Sequence, residues 1–280
     1  MQDTKKILSV QDISCFGQCS TTVMLPILSA AGLETVVLPT ALLSTHTGGF
    51  RDFTFLDTTE EMEKILAHFR SLSLRFSYLC TGYFGSASQL SLLERALPEL
   101  LLPDALCMID PVMGDHGSLY PTYTLEFVEE MRRLCSHADL ITPNLTEACL
   151  LADMPYFGAA YDEKKTGELI DRLHGLGARR VVLTGVMFDD RTIGALAKEQ
   201  GGEVFSAKAP YIDRRFHGTG DTLMAALIAH LVNGAPFHEA VSSAVAFVSD
   251  CIADTLPVMD THWYGLRFEG RLSAITKLVK

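Results

Sequence analysis

Three short segments of this 280-residue chain carry residue types that can do chemistry together. His217-Gly218-Thr219-Gly220-Asp221 opens an apolar stretch with helical character. Glycines let a backbone turn tightly and approach a ligand. The first N–H groups of a helix have no intrahelical partner and favour an anion. Asp221 beside them could take the proton from an attacking hydroxyl. Asp110-Pro111-Val112-Met113-Gly114-Asp115 sets two carboxylates five positions apart, where Pro and Gly prevent helix. Hard oxygen ligands of this kind suit Mg²⁺, often through water. Thr142-Pro143-Asn144-Leu145-Thr146-Glu147 offers Glu147 to metal-bound water and Asn144 to a phosphate-side group. Here Thr142 can act as an N-cap, with Pro143 in the first helical turn. Each segment also has a bland reading: a turn at 110–115, a well-capped helix at 142–147, a helix start at Asp221. Together, and in this order, they point to phosphoryl transfer.

The elements that must position them follow from periodicity. Short apolar runs at 7–10, 35–38, 76–81, 106–109, 140–141 and 181–184 read as strands. Amphipathic stretches at 22–31, 59–72, 87–100, 122–135, 145–152 and 165–176 read as helices. The alternation predicts an α/β architecture around a mostly parallel buried sheet. Residues 193–198 and 203–208, joined by Gln200-Gly201-Gly202, read as a hairpin. Two long helices follow at 221–233 and 236–254, with Gly234 as C-cap of the first and Pro236 opening the second. Residues 50–56 alternate aromatic and polar types and suggest a flap strand over a site. No Pro-, Gly- or Ser-rich linker interrupts the chain, so residues 1–280 read as one domain. In such sheets ligands bind beyond the carboxyl ends of the strands.

Bulk properties narrow the function classes. The formal net charge of −11 is a poor match for nucleic acid or an anionic membrane surface. The apolar run at 7–10 is too short for a secretion signal, and no stretch of ~18 apolar residues predicts a membrane span. Seven scattered cysteines fit reduced thiols, and the expectation is a cytoplasmic protein. No Gly-x-x-x-x-Gly-Lys-Ser/Thr loop is present. Gly175-Leu176-Gly177 fails as a dinucleotide motif because Arg180 stands where the third Gly belongs. Cys15 and Cys19 lack the second pair that zinc would need. His217 adjoins the anion-hole segment and could sense phosphate, though a turn position explains it equally well, and Trp263 in a late loop suggests no role.

The three motifs together resemble the ribokinase-like superfamily, and within it the pyridoxal kinases. The resemblance runs to about Asp254. Ser44-Thr45-His46-Thr47-Gly48 is similar to a Ser-Asn-His-Thr-Gly stretch of those kinases, and Thr81-Gly82-Tyr83 to a Thr/Ser-Gly-Tyr. The resemblance implies a three-layer α/β/α fold with a small antiparallel edge or flap. It implies ATP-dependent phosphorylation of the 5′-hydroxymethyl group of a vitamin B6 vitamer, with Asp221 as base. Gly218, Thr219 and Gly220 would form the anion hole. Asp110, Asp115 and Glu147 would organise Mg²⁺. Asn144, Thr142 and Thr184 would line the nucleotide phosphates. Asp12, His46, Thr47 and Tyr83 would meet the vitamer. The resemblance also implies a homodimer and admits a monovalent cation such as K⁺. One departure matters: where those kinases carry Gln-Ser-His after the first strand, this chain reads Gln11-Asp12-Ile13-Ser14. A carboxylate there favours a protonated ring nitrogen or amine, unless Asp12 caps a turn and Ser14 takes the contact. Hydroxymethylpyrimidine kinase shares the phosphate-side motifs and is the alternative. Ser44–Gly48 and Tyr83 weigh against it.

Overall fold

The computed structural model describes residues 5–158 and 160–279. Its centre is a nine-stranded sheet in the order β11-β10-β9-β8-β5-β4-β1-β2-β3. β1 (Lys6–Phe16), β2 (Glu34–Thr45), β4 (Phe76–Thr81), β5 (Leu101–Ile109), β8 (Leu140–Ile141) and β9 (Arg180–Asp189) pair in parallel. β10 (Thr192–Glu199) and β11 (Phe205–Pro210) add antiparallel strands at one edge, and β3 (Phe55–Asp57) adds one at the other. β6 (Gly114–Asp115) and β7 (Ser118–Leu119) form a separate hairpin.

Parallel strands must bury both faces, and here each face has its own core. α2 (Thr59–Ser71), α3 (Ala87–Leu100), α4 (Leu125–Cys135), α5 (Leu145–Leu151) and α6 (Glu163–Gly175) cover one face. α1 (Thr21–Ala30), α7 (Thr219–Val232), α8 (Phe237–Thr255) and α9 (Leu272–Thr276) cover the other. Adjacent β1 residues divide accordingly: Leu8 and Val10 enter the first core and Ile7 the second. The result is the three-layer α/β/α fold.

Several expected boundaries move. β1 and β2 run well past Val10 and Leu38, as far as Phe16 and Thr45. Ser14, Ser44 and Thr45 are therefore strand residues. The extension survives because Ile13, Ser14 and Phe16 pair with Leu42, Leu43 and Thr45. The 50–56 flap strand shrinks to β3, which pairs only with Ala41, Leu42 and Leu43. The β6–β7 hairpin and α9 had no periodic signal, being two and five residues long. Phe237–Val258 has the length and hydropathy to span a bilayer. Its apolar stripe, with Val241, Ala244 and Val248, is instead spent on the core.

Candidate active site

Residues just past the carboxyl ends of β4, β5 and β8, with Asp12 from within β1 and Thr184 from within β9, supply the candidate groups of one crevice. Asp110 follows β5 directly and is buried. Glu147 lies in the first turn of α5 and is also buried. Asn144, and not Thr142, is the N-cap of that helix. Its Oδ1 accepts from the N–H groups of Thr146 (2.8 Å) and Glu147 (3.0 Å). Glu147 Oε2 accepts in return from the Asn144 N–H at 2.9 Å, which completes a capping box. Glu147 Oε1 accepts from the Met113 N–H at 3.1 Å, binding the helix to the loop after β5. Asn144 Nδ2 donates to the Gly114 carbonyl at 2.8 Å. The motifs at 110–115 and 142–147 are thus one hydrogen-bonded unit. Thr142 lies against the Asp110 carboxylate, which its hydroxyl stabilises. Thr184 pairs with the same strand end, its N–H donating to the Pro143 carbonyl at 2.9 Å.

The third motif enters from α7. Gly218 is its N-cap, in the left-handed region at φ 74°. A Cβ there would lie 2.1 Å from the Gln18 carbonyl oxygen, so both conformation and space require glycine. Helix therefore begins at Thr219, two residues before the expected Asp221. The N–H groups of Thr219, Gly220 and Asp221 fall in the first turn, where no intrahelical acceptor exists. Gly220 faces Asp110, whose Oδ2 would lie 3.9 Å from an added Cβ.

Asp110 lies within electrostatic reach of both Glu147 and Asp221, and no Lys or Arg is among the described residues that shift these three acids. Burial and the charges of Glu147 and Asp221 push Asp110 well above the usual carboxylate range. Burial pushes Glu147 up to about 8, against the pull of its backbone donors. Asp221 is pushed up to about 6 by burial and the charge of Asp12, opposed by the Ser20 N–H. Asp115 lies at the exposed β6–β7 hairpin, with Oδ1 accepting from the His116 N–H at 2.8 Å. Its charge still reaches Glu147. Among the described residues no three His, Cys, Asp or Glu side chains converge closely enough to hold an ion unaided. Crowded oxygen donors nonetheless suit a divalent ion whose shell is completed by water and phosphate oxygens.

At the other end of the crevice, β1 shifts register between Gln11 and Ile13. The shift falls opposite Pro39, which has no N–H to give the ladder. Such irregularities re-aim a side chain; here the residue is Asp12, 4% exposed. Ser14 Oγ donates to its Oδ2 at 2.8 Å, so the two candidates for ring contact are bonded to each other. Burial raises the Asp12 pKa, against the hydroxyls of Ser20 and Ser14. His46 follows β2, with Nε2 donating to the Tyr264 carbonyl (2.8 Å) and Nδ1 accepting from the Gly48 N–H (3.1 Å). Both ring nitrogens are bonded within the protein, and the buried ring packs against Phe50 (4.9 Å) and His217 (5.0 Å). Thr47 is exposed beside it, and half-buried Tyr83 follows β4, its ring 6.0 Å from that of Tyr123.

Sequence reasoning missed Ser20. It caps α1 at φ 52°, a costly conformation for a residue with a side chain. Its hydroxyl serves Asp12 and its N–H serves Asp221, so it joins the two ends of the crevice. The Ser20-Thr21-Thr22 run was the available signal, being a helix-start pattern eight residues after Asp12.

Comparison with known proteins places the chain in a family. The family model for phosphomethylpyrimidine kinase matches residues 25–264. The pyridoxine/pyridoxal/pyridoxamine kinase of Bordetella avium is 30% identical over 263 residues, covering 89% of this chain and 85% of its own. The chain belongs to the phosphomethylpyrimidine and pyridoxal kinase family of the ribokinase-like superfamily. It is a kinase. A phosphomethylpyrimidine kinase-like structure from Bacteroides thetaiotaomicron, crystallised with pyridoxal, superposes on this kinase with TM-score 0.92 at 36% identity, over 98% of this chain and 96% of the other. The Leishmania donovani pyridoxal kinase in complex with ADP and pyridoxamine superposes with TM-score 0.86 at 25% identity, over 97% and 95%.

Proposed function

We propose that this kinase transfers the γ-phosphoryl group of ATP to the 5′-hydroxymethyl group of a vitamin B6 vitamer. The observation that carries the proposal is Asp221: a partly buried carboxylate with a pKa near 6, in the first turn of α7. It lies within electrostatic reach of both Asp12 at the vitamer end and Asp110 at the nucleotide end. The binding of ADP with pyridoxamine by one relative, and of pyridoxal by another, supports the same two-ended use of the crevice.

Asp221 accepts the proton of the vitamer hydroxyl as its oxygen attacks the γ-phosphorus. A pKa near 6 leaves it ionised at neutral pH while keeping it a better base than a solvated aspartate. The N–H groups of Thr219, Gly220 and Asp221 stabilise the charge spread over the transferring group. Asn144, Thr142 and Thr184 line the nucleotide side, and Asp110, Glu147 and Asp115 are the residues that would hold Mg²⁺. When bound, Mg²⁺ supplies the positive charge that the triphosphate and the crowded carboxylates need. Asp12 receives a protonated nitrogen of the vitamer, and His46, Thr47 and Tyr83 bound the ring. The exposed Phe55 and Leu56 on β3 are where a second copy would pair in a homodimer.

A second reading has support in the family model itself, whose description is phosphomethylpyrimidine kinase. ADP release from ATP with pyridoxal, pyridoxine, pyridoxamine and hydroxymethylpyrimidine separates the two. Turnover of the vitamers at higher kcat/KM is the expected result. Preference for hydroxymethylpyrimidine would overturn the proposal.

A further inference from the structure

Trp263, the sole tryptophan of the chain, stands at the vitamer end of the crevice. Its ring lies 4.6 Å from that of Phe50 and edge-on to His217 at 6.2 Å. The segment 46–50 runs beneath these rings without room for side chains at its glycines. A Cβ on Gly48 would lie 2.5 Å from His217 Nδ1, and one on Gly49 2.9 Å from the Trp263 ring. The backbone next to Trp263 is tied to the same parts. The Tyr264 carbonyl accepts from His46 Nε2 (2.8 Å) and from the Gln18 N–H (3.1 Å). Gln18 is the residue whose own carbonyl excludes any side chain at Gly218. One C-terminal segment therefore touches both segment 46–50 and the turn at Gly218.

Resting on the vitamin-kinase reading, we infer that Trp263 is a positioning residue that holds segment 46–50 over the bound vitamer, while the Tyr264 carbonyl ties that segment to the turn at Gly218. The contact stabilises the bound vitamer, not the transition state alone, so it acts on KM before kcat. Trp263→Ala should raise KM for the vitamer about tenfold, the scale of an aromatic contact of this kind. The kcat and the KM for ATP should stay within about twofold of wild type. Trp263→Phe should recover most of the loss. With 5-fluorotryptophan in place of tryptophan, the single ¹⁹F resonance should shift when the wild-type protein is saturated with pyridoxine and stay in place with ADP alone. An unchanged vitamer KM in Trp263→Ala would overturn the inference. So would a joint loss of kcat and both affinities, which marks general unfolding, or a resonance indifferent to pyridoxine. Wild-type turnover of the vitamers reports the functional reading separately. Full turnover with an unmoved resonance overturns the positioning role alone, and no turnover overturns both.

Discussion

Gly218→Ala perturbs the anion hole without touching any charged group. At φ 74° an alanine pays a left-handed backbone penalty of roughly 1 kcal/mol. The larger effect is steric. The new Cβ would stand 2.1 Å from the Gln18 carbonyl oxygen, against an ordinary contact of ~3.4 Å, so the turn must retreat by more than about 1 Å. Neither partner is a flexible side-chain end, because both positions are backbone. A misplacement of ~1 Å at a reacting centre costs about 100-fold, similar to loss of one oxyanion-hole donor. We therefore expect kcat to fall at least ~100-fold, and Tm to fall by roughly 3–8 °C. Gly220→Ala is the control, since its Cβ meets nothing nearer than Asp110 Oδ2 at 3.9 Å and its backbone can stay in place. Its kcat loss should be clearly smaller. Steady-state ADP release and thermal melting of both variants test this. A Gly218→Ala enzyme within threefold of wild-type kcat would refute the argument that the turn places the helix donors.

Asp221→Ala should abolish turnover while nucleotide affinity survives, and wild-type kcat/KM should fall below a pH near 6 as Asp221 takes up its proton. Retained turnover or a missing acidic limb counts against Asp221 as base. Glu147 titrates higher folded than unfolded, so the folded state holds the extra proton and stability drains away as pH rises through about 8. In EDTA, the wild-type Tm should drop between pH 7 and 9, more steeply than that of Glu147→Gln, and Mg²⁺ should flatten it. A rising or flat wild-type Tm over that range contradicts the raised pKa. Asp12→Ser should lower kcat/KM for pyridoxamine relative to pyridoxine by about tenfold, the scale of one charge-assisted hydrogen bond. Unchanged ratios across the vitamers would leave Asp12 a structural acid.

Some of this molecule was decided by the sequence alone. The alternation of apolar runs and amphipathic stretches needs only local period and burial, so the α/β class and most helix positions were legible. The Gly-Thr-Gly-Asp turn was legible for the same reason: a left-handed glycine followed by exposed helix N–H groups is local geometry. The Asn144 cap was mistaken for Thr142 because both are capping types. Only the answering Glu147 carboxylate, together with the Met113 and Gly114 backbone, selects Asn144. The length of β1 and β2 was hidden because pairing partners some thirty residues away extend them past their apolar runs.

Tertiary structure alone decided the electrostatics of the crevice and its closure. No residue pattern states that Asp12, Asp110, Glu147 and Asp221 would all be buried near one another, yet that burial, ahead of their mutual charge, is what raises their pKa values. Ser20 gained its role by bridging two of those acids, and Trp263 by meeting Phe50 and His217 from the far end of the chain. Types and local spacing determine which groups can react. Long-range packing determines which of them meet, how dry they are, and what holds them in place.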